Sequence, residues 1–196
     1  MNSGANPHVP ELAPLQSFVE RRGFDVNLSR LLVPGSVQRP SALCYTVADG
    51  RVLMIRRKKE PFTGRFTAPG GKIEPGEDPE EAVRRELREE TAITVASPRL
   101  AMITSETGPV GYNWLLFIFT ALRFEGEPRM GESEEGEVAW VEVGRLQGDE
   151  VPEVDRALFP YLLGSGSGSM YVARIMYSAG REVAALTVKR VGKRLG

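Results

Sequence analysis

Three glutamates, Glu86, Glu89 and Glu90, stand at i, i+3 and i+4, so on a helix their carboxylates share one face. Like charges held that close repel one another unless a cation neutralises them. A ligand set made only of oxygen suits a hard divalent ion such as Mg2+. The ordinary alternative is a solvated surface, since glutamate-rich helix faces are common.

The residues ahead of them write the start of that helix. Asp78 is an N-cap, able to accept the unpaired N–H groups of the first turn. Pro79 falls at the first helical position, where its missing N–H removes nothing, and Glu81 completes a capping box. Upstream, Gly64, Pro69, Gly70 and Gly71 mark a shaped loop that feeds the helix.

Loop and helix together resemble the Nudix box, G-x5-E-x7-R-E-U-x-E-E-x-G-U, in which U is a bulky aliphatic residue. Gly71, Glu77, Arg85, Glu86, Leu87, Glu89, Glu90 and Ile93 fall in place. The one departure is Ala92, where the family has the glycine that ends the helix; alanine enters a left-handed conformation at greater cost. The resemblance implies an α/β fold, the α/β/α sandwich with a mixed sheet. It also implies hydrolysis of nucleoside diphosphates linked to another group, with Mg2+ or Mn2+. In-line attack at phosphorus needs charge neutralisation and an activated water more than a covalent nucleophile. Carried over residue by residue, Glu89 and Glu90 are the principal metal ligands, Glu86 is a ligand or the general base, and the Gly70 carbonyl ligates as well. Arg85 pairs with Glu77 to hold the loop on the helix. Lys72 is a candidate for a phosphate oxygen, with a solvated lysine as its ordinary use.

Beyond the box, Ala42 to Val191 resembles the MutT-type triphosphatases that clear oxidised purine nucleotides. Glu135, five residues before Trp140, matches a further metal-binding glutamate, with Glu132 and Glu134 as neighbours in competing registers. Asp155, ahead of Leu158-Phe159-Pro160, stands where the mammalian member reads the purine edge. An acid there can accept from exocyclic N–H groups or, if desolvated and protonated, donate to a ring acceptor. Trp114 and Phe66 are candidates to stack on a base, against the plainer reading of core aromatics. Thr67 replaces an asparagine that contacts the base in the mammalian member. The expected activity is therefore pyrophosphohydrolysis of oxidised purine nucleoside triphosphates such as 8-oxo-dGTP, giving monophosphate and diphosphate. The alternatives are a broad hydrolase of dinucleoside polyphosphates or nucleoside-diphosphate sugars, and a non-catalytic nucleotide sensor.

Composition fits that reading. With 25 Lys and Arg against 26 Asp and Glu, the net charge of −1 argues against charge-driven binding to nucleic acid or membrane. The single cysteine, Cys44, excludes an intramolecular disulfide, fits a reducing cytoplasm and reads as core packing. The only histidine, His8, lies in an Asn- and Pro-rich start read as disordered, which sets aside histidine-based catalysis.

Along the chain, residues 1–38 read as an N-terminal extension, 39–192 as the Nudix domain and 193–196 as a basic tail. Glu11 to Arg22 has helical spacing, and Asp25 to Val33 is a weaker alternating stretch read as a strand. The role of this extension stays open between a cap, a homodimer contact and a tail. Ala42 to Val47 and Arg51 to Arg56 flank an Asp-Gly turn and predict a hairpin, whose end, Arg56 to Lys59, is a basic cluster open between attraction of polyphosphate and a plain solvated strand end. Further strands are expected from Ile93, over Leu100–Ser105, Trp114–Phe124 and Val138–Val141, and an acidic loop over Arg129–Glu137. A second helix is expected over Arg156–Leu163. Gly164 to Ser169 reads as a flexible connector to a closing hairpin over Met170–Met176 and Glu182–Val188.

Overall fold

A computed structural model describes residues 12–164, 169–180 and 182–193. His8, most of the Gly164–Ser169 connector and the last three residues of the basic tail lie outside these. Among the described residues, ten strands join in one mixed sheet. They are β1 (Arg39–Ala48), β2 (Arg51–Arg57), β3 (Phe66–Thr67), β4 (Gly70–Lys72), β5 (Arg99–Thr107), β6 (Asn113–Ala121), β7 (Gly131–Glu132), β8 (Gly136–Glu142), β9 (Met170–Tyr177) and β10 (Val183–Val191). The order across the sheet is β10-β9-β5-β6-β1-β2-β8-β7, with β3 attached to β2 and β4 to β1. Strand β1 runs parallel to β6, and β5 parallel to β9; the remaining pairs are antiparallel.

Among the described residues four α-helices cover the two faces: α1 (Leu12–Arg21), α2 (Leu28–Leu31), α3 (Pro79–Thr91) and α4 (Glu153–Leu162). Leu15, Phe18, Leu28, Leu31, Val83 and Leu87 from the first three pack with Cys44, Leu53, Phe117 and Phe119 on one side. Val154, Leu158, Phe159 and Leu162 of α4 pack with Tyr45, Met54 and Ile118 on the other. The alternation of β1 makes this possible: Ala42 and Cys44 face one layer, Leu43 and Tyr45 the other. The α/β/α sandwich is therefore present. No described helix is long and apolar enough to cross a membrane.

The β1–β2 hairpin turns at Asp49 and Gly50, both at positive φ (49° and 71°), the primed turn that an Asp-Gly pair favours. Several local expectations are corrected. Asp25 to Val33 is not a strand. It holds the short helix α2, because Asn27 caps it by accepting from the Arg30 N–H at 3.3 Å while Leu28 and Leu31 turn into the core. The Gln16 side chain fastens the approach, accepting from the Leu28 N–H at 2.9 Å and donating to the Val26 carbonyl at 2.9 Å. Ile93 to Val95 forms a single bridge, Thr94 to Glu125, rather than a strand, although Ile93 and Val95 are buried. Strand β6 ends at Ala121 instead of Phe124, and α4 begins at Glu153 instead of Arg156. The acidic loop contains the two-residue strand β7.

Helices α1 and α2 are a layer of this core. Phe18 meets Phe117 and Phe119 edge-on at 6.1 and 6.4 Å between ring centroids. Arg21 pairs with Asp78 at 3.5 Å, and Arg22 pairs with Glu80, so α1 is tied to the first turn of α3.

Candidate active site

Helix α3 sets the acidic residues in place. Asp78 accepts from the N–H groups of Glu80 and Glu81 at 2.9 and 3.0 Å, and the Glu81 carboxylate accepts from the Asp78 N–H at 2.8 Å. Ala82, Val83, Leu87 and Thr91 are buried against the sheet, which fixes the helix's rotation about its axis. That rotation turns Glu86, Glu89 and Glu90 along the rim of a cleft of about 880 Å3.

Close approach requires glycine at position 70: Gly70 has φ 144°, and a side chain there would collide with the Ala42 backbone carbonyl of β1. At Gly71 a side chain would push aside the Glu86 carboxylate, the movable end of that side chain, and so disturb the acidic group rather than the backbone. Strand β4 lies against β1 with Gly70 opposite Leu43 and Gly71 opposite Ala42, and the Gly70 N–H donates to Glu90 Oε2 at 2.8 Å. Arg85 forks onto Glu77 at 2.7 and 2.9 Å, and also donates to Glu86 at 2.8 Å and to the Lys72 carbonyl at 3.1 Å. Loop and helix are thereby clamped together, and the Arg85 guanidinium holds Glu77 below the usual carboxylate range. Neither Glu77 nor Arg85 lines the cleft.

The carboxylates at this end are crowded and partly buried. Burial, then repulsion from Glu86 and Glu135, pushes Glu90 up to about 8 against the opposing Gly70 N–H. Burial also raises Glu86, while Arg85 draws it down. Glu135 is thus the loop glutamate whose charge is felt at Glu90; its side chain accepts from Lys59 Nζ at 2.8 Å. Glu132 and Glu134 also line the cleft, with Glu132 paired to Lys58. Among the described residues no group of three or more acidic, histidine or cysteine side chains is already drawn together as a metal cage. The donor set itself, all carboxylate and carbonyl oxygen with repulsion in excess, fits a hard divalent cation.

The other end of the cleft is aromatic. Ser41, Leu43 and Tyr45 of β1 share one strand face with Trp114 and Leu116 of β6, where Leu116 lies opposite Ser41. Tyr112 stands edge-on to Phe62, Trp114 and Tyr177 at 6.4, 6.3 and 5.1 Å. Asp155, from the first turn of α4, lines this end, half-buried and open to the cleft. Burial and the charge of Glu106 push it up to about 7, against a hydrogen bond with Tyr45. Two hydroxyls here, Ser41 Oγ and Thr67 Oγ1, are buried on the cleft wall without a protein partner.

The cleft thus gathers Thr67, Gly70, Lys72, Glu86, Glu89, Glu90, Trp114, Glu135 and Asp155. Phe66 is not among them: it is buried beneath the Arg56 guanidinium, 4.2 Å from its ring centroid. Sequence reasoning missed Tyr45, Phe62, Glu106 and Tyr112, which line the same cleft.

The NUDIX domain pattern matches residues 37–162. An uncharacterised Nudix hydrolase of Bacillus subtilis is 31% identical over 132 residues, 65% of this chain and 80% of that protein. The oxidized purine nucleoside triphosphate hydrolase of Danio rerio is 34% identical over 124 residues, 62% of this chain and 77% of that protein. The crystal structure of a MutT protein from Bacillus halodurans superposes with a TM-score of 0.68 at 30% identity, covering 77% of this chain and 97% of that one. With the box geometry, the sandwich and a match over well more than half its length, the chain belongs to the NUDIX domain family.

Proposed function

We propose that this protein is a Mg2+-dependent pyrophosphohydrolase of purine nucleoside triphosphates, oxidised ones such as 8-oxo-dGTP among them, releasing monophosphate and diphosphate. Nudix hydrolases act on pyrophosphate bonds in nucleotide substrates, vary in which substrate they take, and generally use a divalent metal. One observation carries the finer reading. A single cleft has the charge-rich carboxylates Glu86, Glu89, Glu90 and Glu135 at one end, and Asp155 with an aromatic wall at the other. That spacing of functions suits a molecule with a polyphosphate at one end and a base at the other. The name of the Danio rerio relative supports the same substrate class.

Glu86, Glu89, Glu90, Glu135 and the Gly70 carbonyl would hold the ion, and Mn2+ fits the same oxygen donors. When bound, it neutralises polyphosphate charge and acidifies water. The chain's own groups do the rest. Glu86 is the candidate proton acceptor, since Arg85 holds one carboxylate oxygen at 2.8 Å and burial lifts its proton affinity. Lys72 and Arg57 line the cleft as cations for the phosphates. Asp155 faces the base, with Trp114 and Tyr112 along the wall and the Ser41 and Thr67 hydroxyls free to bond it. Cys44, single and buried, supports a cytoplasmic place of work, where the product would be a cleaned nucleotide pool.

The test is a substrate panel with Mg2+: dGTP, 8-oxo-dGTP, 2-hydroxy-dATP, diadenosine polyphosphates and ADP-ribose, ranked by kcat/KM with products identified. Preference for an oxidised purine triphosphate with diphosphate release supports the proposal. Preference for dinucleoside polyphosphates or ADP-ribose overturns the base-reading part and leaves the hydrolytic end standing. No turnover of any of them overturns the enzyme reading in favour of a sensor.

A further inference from the structure

The base end of the cleft contains a second acid that no part of the hydrolytic machinery uses. Glu106 sits on β5 opposite Trp114 of β6, so its side chain belongs to the cleft face of the sheet, and it is 3% exposed. Each carboxylate oxygen accepts one hydroxyl: Thr104 Oγ1 donates to Oε1 at 2.8 Å, and the Tyr177 hydroxyl donates to Oε2 at 2.8 Å. The strand carrying it is pinned as well, because the buried Gln38 side chain donates to the Glu106 carbonyl at 3.1 Å and accepts from Ser105 Oγ at 3.0 Å. Asp155 faces the same space from α4, and among the described residues its hydroxyl partner is Tyr45 of β1. Tyr112, between β5 and β6, completes the surroundings, and Arg57 of β2 is the cation that reaches Tyr112. Among the described residues no cation acts appreciably on either acid.

We infer that Glu106 and Asp155 work as a pair that holds one proton, with Glu106 the fixed anion and Asp155 the carboxylic acid that donates to the ligand. Glu106 is then a positioning and specificity residue acting through Asp155. Two acids in one poorly hydrated pocket cannot both ionise cheaply, so the pair keeps a proton near neutrality. Burial raises both acids; at Glu106 two hydroxyl donors oppose that rise and at Asp155 the Tyr45 hydroxyl does, and this difference in donors places the proton on Asp155. Burial and the neighbouring Glu106 charge push Asp155 up to about 7, in the same sense. A protonated Asp155 is complementary to a purine edge that offers an acceptor, such as the 6-oxo group of guanine. An ionised one is complementary to the 6-amino group of adenine. The inference rests on reading the cleft as a nucleotide site, and it names what sets the base preference there.

The experiment measures binding of dGMP and dAMP to the full chain by calorimetry between pH 5.5 and 8.5, which requires no turnover. Glu106→Gln keeps the side-chain size; its amide oxygen accepts from one of the two hydroxyls and its NH2 donates to the other, which can turn to accept, but it removes the charge that holds the proton on Asp155. At pH 7 the dGMP-to-dAMP affinity ratio is expected to fall roughly tenfold or more. Acidification should restore it, because Asp155 then reprotonates. Tyr177→Phe removes one donor from Glu106, draws the proton toward Glu106 and should move the ratio the same way, less far. A ratio in both variants that follows wild type at every pH overturns the pairing, as does an equal loss for both nucleotides that acid does not reverse. Wild-type protein that binds neither nucleotide overturns the base-end reading itself. Binding with the expected ratios but without hydrolysis supports the pairing and overturns only the enzymatic reading.

Discussion

Ala92 offers a clean test of how far the Nudix-box departure matters. It ends α3 at φ 65°, ψ 5°, with its N–H donating to the Arg88 carbonyl at 3.1 Å, the left-handed cap that the family fills with glycine. A methyl-bearing residue in that conformation costs about 1–2 kcal/mol relative to glycine. Ala92→Gly relieves that cost and gives back about 0.4–1 kcal/mol through the greater freedom of glycine in the unfolded chain. The net expectation is a gain of about 0.5–1 kcal/mol, or a Tm rise of about 1 to 4 °C for a chain of this size. In urea the midpoint should rise with the slope unchanged, as for a local change that leaves the surface exposed on unfolding alone. Because the cap bond and the buried face of α3 stay as they are, Glu86, Glu89 and Glu90 keep their places. The kcat/KM of the best substrate should therefore hold within about twofold. A loss of stability would refute the strain reasoning by showing that the methyl packs. A gain accompanied by a large change in kcat/KM would refute the claim that the departure leaves the acidic end untouched.

Three further outcomes follow from the structure. Glu90→Gln keeps an acceptor for the Gly70 N–H and should lower kcat by about a hundredfold or more while the Tm of the metal-free protein at pH 7 holds, since a side chain that keeps its proton up to about 8 is replaced by a neutral one of the same size; near-normal turnover at saturating Mg2+ would remove Glu90 from the ion-holding set. Phe18→Ala empties a site 2% exposed between α1 and the sheet and should lower stability to denaturant by about 3–5 kcal/mol, with the activity of the folded fraction retained; a change below about 1 kcal/mol would show that α1 is not part of the core. Asp155 holds its proton up to about 7 when folded, against 3.8 in the unfolded chain, so its favourable contribution is complete below 3.8 and is lost as pH rises toward 7. Asp155→Asn removes that slope, so its advantage over wild type in urea should grow between pH 4 and 7, by at most about 4 kcal/mol and less as cleft water solvates the acid. Parallel pH curves for the two proteins would show that Asp155 titrates normally.

The acidic end was legible because everything that builds it is local. Asp78, Pro79 and Glu81 write the helix start, the spacing of Glu86, Glu89 and Glu90 writes their common face, and Ala92 adopts the left-handed cap that its place in the pattern requires. The base end was not, because its residues meet only through strand register. Glu106 lies in the polar run Thr104-Ser105-Glu106-Thr107, which by itself reads as a strand nearing solvent. Only the pairing of β5 with β6 on one side and β9 on the other buries it and brings Tyr177 to it. The run of polar residues inside an otherwise apolar strand was the available signal. Asp25 to Val33 failed for a related reason: Leu28 and Leu31 turn a short helix into the core behind the Asn27 cap, and its approach is fastened by the Gln16 side chain, twelve residues before Leu28.

This division has a consequence for how the cleft can change. The acidic end depends on one helix, two glycines and the Arg85 clamp, so most substitutions there disturb several carboxylates at once. The base end depends on side chains from β1, β5, β6, β9 and α4, each anchored in its own element, so single changes can alter what is read without moving the acidic end. Thr67 is such a position: it lies two to four residues from Pro69, Gly70 and Gly71 in sequence, yet its hydroxyl faces the cleft wall with no protein partner. A cleft built this way separates the chemistry of the phosphates from the choice of base. Glu106 stands on the choosing side, held by the hydroxyls that Thr104 and Tyr177 donate to its two carboxylate oxygens.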